Sequence, residues 1–143
     1  MIALIIVIAL IVTILLLGRK GKKMMQNEQR AAEAVNPDEF DYRNSFNIAG
    51  INKHGASFQD CGTWKGWVAR DAQNRYDKNA VAVFKGTEHI GYLNKTIAAK
   101  YAGQIESLDG QVPAVVQIEK QVDEEDGRKY LVGRVQILWP DTE

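Results

Sequence analysis

His54, His89 and Cys61 supply all the imidazole and thiol chemistry available to this chain, which has two His and one Cys among 143 residues. A structural zinc site needs four Cys or His ligands at short, paired spacings. Three such residues fall short of four, and the separations between positions 54, 61 and 89 fit no finger or ribbon. No Ser-His-Asp arrangement, HExxH pair or Gly-rich phosphate loop is present either. The residue types therefore point away from catalysis and from any metal or other cofactor. One Cys forms no internal disulfide, so the fold must be held by its apolar core, and Cys61 reads as a small, semi-buried packing residue.

A denser constellation runs through Val68-Ala69-Arg70-Asp71-Ala72-Gln73-Asn74-Arg75-Tyr76-Asp77-Lys78-Asn79-Ala80-Val81-Ala82-Val83, followed by Ile90-Gly91-Tyr92-Leu93 and an Ala-rich helix. A Tyr in an exposed bend can stack on a nucleobase, a sequence-tolerant contact worth ~1 to 3 kcal/mol. A neighbouring carboxylate repels phosphate but accepts a hydrogen bond from a sugar hydroxyl or a base amine, so Tyr76 and Asp77 make sense as an end-recognising pair. Lys95, at the start of a helix, can meet a phosphate together with the helix N-terminal N–H groups. Structural duties compete for the same residues. Asn74, Asp77 and Asn79 are what a tight turn needs, because their side chains bond nearby backbone groups. Asn79 reads first as such a turn residue, and Asp77 as either. Tyr92 alternates with Ile90 and Leu93 around Gly91 and suits core or rim equally. Trp64 and Trp67 are three apart, so a regular strand turns them to opposite sides and leaves one for stacking.

The block resembles the HIRAN domain, known from helicase-like DNA repair and fork-remodelling proteins and from small stand-alone bacterial and viral proteins. That family's pattern is roughly R-(E/D)-x-x-N-x-(Y/H)-D-x-N-A-(V/I)-x-V, then (I/V)-G-(Y/H)-L before a helix. Arg70 to Val83 and Ile90 to Leu93 match nearly every fixed position. The resemblance extends from about Phe46 to Val116 and more loosely to Trp139. It implies an OB-like small β-barrel that binds single-stranded DNA, in the best-understood members at a 3′ end. Together with the reading of the residues, the implied nucleic-acid-binding set is Lys53, His54, Arg70, Asn74, Tyr76, Asp77, Asn79, Tyr92 and Lys95. Asn52-Lys53-His54 stand where end-binding members place an Arg and two aromatics, and Ala114 where they place an aromatic. General nucleic-acid binding is thus the broader expectation and 3′-end capture the narrower one. The helicase motor and zinc-binding RING module of the large relatives find no room in this chain, so the expectation is a non-catalytic module. The alternative is a protein-interaction adaptor that keeps the fold and fills its aromatic groove with a peptide.

The elements that must position these residues are mainly β. Phe46–Ile51, Trp64–Arg70, Asn79–Phe84 and His89–Leu93 read as strands, the last two joined by the turn Lys85-Gly86-Thr87-Glu88. Asn94 can cap a helix running to about Leu108, with Ile97, Tyr101, Ile105 and Leu108 on one face and Asp109-Gly110 ending it. Val112–Lys120 and Tyr130–Trp139 form a closing hairpin around Asp123-Glu124-Glu125-Asp126-Gly127. The expected fold is a small antiparallel β-barrel over residues 45–139 with one inserted helix, then a short tail, 140–143.

The formal charge is zero, from 18 basic and 18 acidic residues. It divides unevenly, since Gly50–Lys100 holds eight basic and four acidic residues and Gln111–Glu143 four basic and seven acidic. The motif lies in the basic half, the sign a phosphate backbone requires. Ahead of it, Ile2–Leu17 is an apolar run of 16 residues, 13 of them Ile, Leu or Val. On insertion scales those 13 residues are worth roughly −4 to −8 kcal/mol, and with snorkelling flanks the run suffices as a transmembrane helix over residues 1–18. Arg19, Lys20, Lys22 and Lys23 follow it and no charge precedes it. That asymmetry predicts an uncleaved, single-pass anchor in the cell membrane, N-terminus outside and C-terminal domain in the cytoplasm. Residues 19–44 read as a basic juxtamembrane segment and linker, including a short helix ending before Pro37.

Overall fold

Along Gly62–Arg70 the backbone is extended, and Trp64, Gly66 and Val68 turn to one side while Lys65 and Trp67 turn to the other. That period of two makes a strand with one buried and one open face. Six such strands form the domain: β1 (Ser45–Ala49), β2 (Gly62–Arg70), β3 (Val81–Lys85), β4 (Glu88–Leu93), β5 (Gln111–Val122) and β6 (Lys129–Ile137). Every pairing is antiparallel, and the order β1-β4-β3-β2-β5-β6 closes into a barrel. Closure gives every strand a partner on both sides along part of its length. The expectation of a mainly β barrel with one inserted helix holds. The computed structural model describes residues 32–141. The expected transmembrane helix, residues 1–18, and residues 19–31 of the basic juxtamembrane segment and linker lie outside the described residues. No helix among the described residues is long and apolar enough to cross a membrane.

The barrel interior is built from branched side chains: Val68, Val81, Val83, Ile90, Val112, Val116, Ile118 and Val135 are all essentially removed from solvent. Each such side chain contributes about 1.5 to 3 kcal/mol of burial. One helix, α1 (Lys95–Ser107), links β4 to β5 and presses Ala98, Ala102 and Ile105 on the core, a stripe at spacings of four and three. Tyr101 packs beside that stripe, its ring 5.6 Å from Phe46 and 5.4 Å from Trp139.

Several boundaries differ from the pattern-based expectation. β1 stops at Ala49 because Gly50 turns the chain with a φ of +74°, although Ile51 still reaches the core. β3 starts at Val81, since the amides of Asn79 and Ala80 are taken by the side chain and carbonyl of Asp77 in a turn. The stretch before Pro37 is extended rather than helical from Ala32 onward. β3 pairs only with Gly66–Arg70, which leaves the first backbone groups of β2 open on that side, and the arm fills them: Lys65 N–H donates to Glu33 O and Val35 N–H to Thr63 O. Unpaired strand groups are the stronger demand, and helix propensity in a short polar segment is weak.

Candidate nucleic-acid interface

β4 carries the centre of the site. Its register against β3 slips between Val83 and Phe84, so Ile90 is an inserted residue: Val83 pairs with Gly91 and Phe84 with His89. Ile90 and Leu93 are buried while His89 and Tyr92 both stand on the outer face, although they are three apart. A bulge re-aims side chains in this way. Gly91 faces inward at the slip, where a Cβ would lie 2.5 Å from Ile48 Cγ2 and 2.6 Å from the Ala49 carbonyl.

The result is an aromatic cluster. The His89 and Tyr92 rings meet edge to face at 4.8 Å, and the His54 ring from the β1–β2 loop lies 5.0 Å from His89 and 5.3 Å from Tyr92. His54 gets there because Gly50 has no side chain; a Cβ would come within 3.0 Å of its ring. His89 Nε2 sits 2.8 Å from the Gly91 carbonyl oxygen, an acceptor only, so that nitrogen carries the proton and donates. Burial, with the nearby His54, holds the His89 pKa below its ordinary value against the opposing pull of the Gly91 carbonyl and Asp71. The Tyr92 phenol is pushed up, first by burial and then by the Asp71 carboxylate to which it donates at 3.1 Å.

Asp71 connects this cluster to the motif loop. Its carboxylate also accepts from Asn74 Nδ2, while Asn74 Oδ1 accepts the backbone N–H groups of Tyr76 and Asp77. Asp77 Oδ1 accepts Asn79 N–H, and its Oδ2 makes no hydrogen bond among the described residues. Tyr76 is thereby held at the loop tip, 93% exposed. Asn74 and Asp77 do the turn work; the Asn79 side chain, expected in that role, makes no bond among the described residues, while its backbone N–H is held by Asp77.

The expected set is therefore brought together in part. His54 and Tyr92 touch, and Asn74, Tyr76 and Asp77 are linked to them through Asp71. Arg70 is spent internally: Nη1 donates to Ala80 O, Nη2 to Lys78 O and Nε to Glu106. It fastens both the motif loop and α1, leaving little guanidinium for phosphate. Lys53 and Lys95 are exposed. The helix start beside Lys95 is already capped, since Asn94 Oδ1 accepts Thr96 and Ile97 N–H, so the expected phosphate cradle is reduced to the Lys95 ammonium. Asn52 clamps Leu131 through both ends of its amide. Asp71 and His89 escaped the residue-by-residue reading; the gap between the polar block and Ile90-Gly91-Tyr92 was the one available signal for His89.

The HIRAN domain family model matches residues 57–135, more than half of the chain. The chain belongs to the HIRAN domain family. The matched segment takes in β2 to β5 and most of β6, so the closing hairpin belongs to the domain as firmly as the motif block does. HIRAN domains are in general nucleic-acid-binding modules. No curated protein and no solved structure matches the chain.

Proposed function

We propose that this HIRAN chain is a non-catalytic module that binds single-stranded DNA, ends included, and is tethered to the cell membrane through Ile2–Leu17 with its barrel in the cytoplasm. One observation carries the binding reading: an outward aromatic cluster, His54, His89 and Tyr92, is bonded through Asp71 and Asn74 to a loop whose tip presents Tyr76 to solvent. Rings presented to solvent recognise unpaired bases, whose faces a duplex hides. Asp77 Oδ2 adds an acceptor for a terminal hydroxyl or a base amine. Lys53, Arg75, Lys78 and Lys95 are all exposed and supply the charge. The basic flank Arg19–Lys23 supports the cytoplasmic side, which is where DNA is met.

The test is fluorescence anisotropy of the full chain in detergent with labelled single strands ending in 3′-hydroxyl or 3′-phosphate, and with RNA of the same sequence. Salt-dependent binding with preference for the 3′-hydroxyl is expected. No binding at high micromolar protein overturns the reading, and equal affinity for both ends removes the end-capture part alone. Protease treatment of intact spheroplasts tests the topology, which fails if the barrel is cut from outside.

A second reading, a protein adaptor using the same face for a peptide, is favoured by Asn52, whose amide is engaged by Leu131 where end-binding relatives place an Arg. It predicts a defined protein partner retained by the Tyr76→Ala, Asp77→Ala chain in the absence of DNA binding.

A further inference from the structure

The outer face of the barrel continues beyond the motif. In register, Trp67 of β2 pairs with Phe84 of β3, and Phe84 with His89 of β4. The Phe84 and His89 rings are 5.4 Å apart, and His89 in turn contacts His54. Aromatic residues thus follow one another in register across three strands, from His89 through Phe84 to Trp67, which is 39% exposed. At ~4.8 Å between strands the row from β4 to β2 is about 10 Å long, close to three base-stacking rises of ~3.4 Å.

Next to Trp67 and Phe84 lies a cavity of about 220 Å³ completed by Ala69, Gly86, Thr87 and Gln111. It is lined by no acidic residue, and the Thr87 hydroxyl and Gln111 amide can bond base edges. Lys65 precedes Trp67 by two residues on the same face; its ion pair with Glu33 is largely exposed, so a phosphate can compete for the ammonium.

We infer that Trp67 and Phe84 form a second base-stacking station, so that a single strand engaged at His54, Tyr92 and Tyr76 continues across β3 onto β2. The inference rests on the DNA-binding reading above and extends it to longer strands. A dinucleotide engages the motif end alone; a decamer reaches both stations.

The test compares the full chain with its Trp67→Ala, Trp67→Phe and Phe58→Ala variants on labelled thymidine dinucleotide and decamer. Phe58 is an exposed aromatic that lines a different cavity. Trp67→Ala should weaken the decamer roughly 5- to 100-fold, Trp67→Phe much less, and both should leave the dinucleotide within about twofold. Phe58→Ala should change neither. Photocrosslinking of an iododeoxyuridine decamer to the unaltered chain should label β2 or β3, a readout independent of any variant's folding. Decamer binding unaffected by Trp67→Ala, or crosslinks confined to Tyr76 and Tyr92, overturns this inference and leaves the DNA-binding reading standing. Absence of binding to either oligonucleotide overturns both.

Discussion

His89 and Tyr92, three residues apart on one strand, stand side by side on the outside of the barrel with their rings at 4.8 Å and 89°. The register slip at Ile90 makes this possible, and without it one of the two would point into the core. The site therefore depends on backbone geometry as much as on side chains.

Three glycine substitutions should rank by what a new Cβ meets. At Gly66 it would lie 1.9 Å from the Phe84 carbonyl oxygen, a backbone atom of the neighbouring strand, so Gly66→Ala should cost upwards of about 3 kcal/mol. Gly91→Ala meets Ile48 and Ala49 and should cost about 1 to 3 kcal/mol. Gly103 is in α1 with nothing within 4 Å, so Gly103→Ala should stabilise by about 0.5 to 1 kcal/mol. Urea denaturation midpoints measure all three, and an unchanged Gly66→Ala midpoint would refute the β2–β3 packing.

Arg70 should behave as a structural residue. Its side chain is 12% exposed and donates to two carbonyls and a carboxylate, each bond from a charged donor being worth about 1.5 to 3 kcal/mol. Arg70→Ala should lower the melting temperature and loosen the motif loop, and Arg70→Lys should recover only part because the planar fork is lost. Lys53→Ala and Lys95→Ala should instead leave melting unchanged and reduce the slope of log K against log salt by about one each. A full-strength slope change from Arg70→Lys, which keeps the charge, would contradict this division.

Tyr76 is the cleanest probe of stacking because nothing in the fold leans on it. Tyr76→Ala should shift stability by less than about 0.5 kcal/mol while weakening single-strand binding by about 1 to 3 kcal/mol. Tyr92→Phe keeps the ring but removes the donor to Asp71, so it should lower affinity through loop disorder and raise amide exchange at residues 71–79. Equal exchange in both proteins would disconnect Tyr92 from the loop.

Acid should weaken the fold at His89. The folded-state pKa lies below the ordinary 6.5, so the unfolded chain takes up the proton first. Stability is complete above about pH 6.5 and is lost as pH falls from there through the lowered folded value. His89→Gln keeps a donor for the Gly91 carbonyl without titrating and should flatten this part of the profile. Matching slopes between pH 7 and pH 5 for the two proteins would show that His89 is not the group responsible.

Much of the local structure is legible in the residues themselves. Asn94 caps its helix, Gly86 turns the β3–β4 hairpin with φ +57°, and Asp123 ties the β5–β6 turn, each through atoms within a few residues. The apolar run that buries Val81, Ala82 and Val83 is equally visible. Where patterning falls short, a distant segment intervenes: the Glu33–Val35 arm is extended because β2 offers it open backbone groups, and the Trp64 ring, its indole N–H bonded locally to the Asp60 carbonyl, lies under the Lys85 ammonium from β3.

From its sequence alone the chain was committed to the motif block, its turns, its cap and a barrel of short strands, because these depend on side chains bonding or packing with near neighbours. Which residues share a face was decided by the tertiary structure. Pairing register and one inserted residue set the direction of the side chains on β4 and gather His54, His89 and Tyr92, while the pairing of β2 turns Trp67 outward and sets Arg70 against the Lys78 and Ala80 carbonyls. Register is a relation between strands brought together by the closing of the barrel, and no local pattern records it.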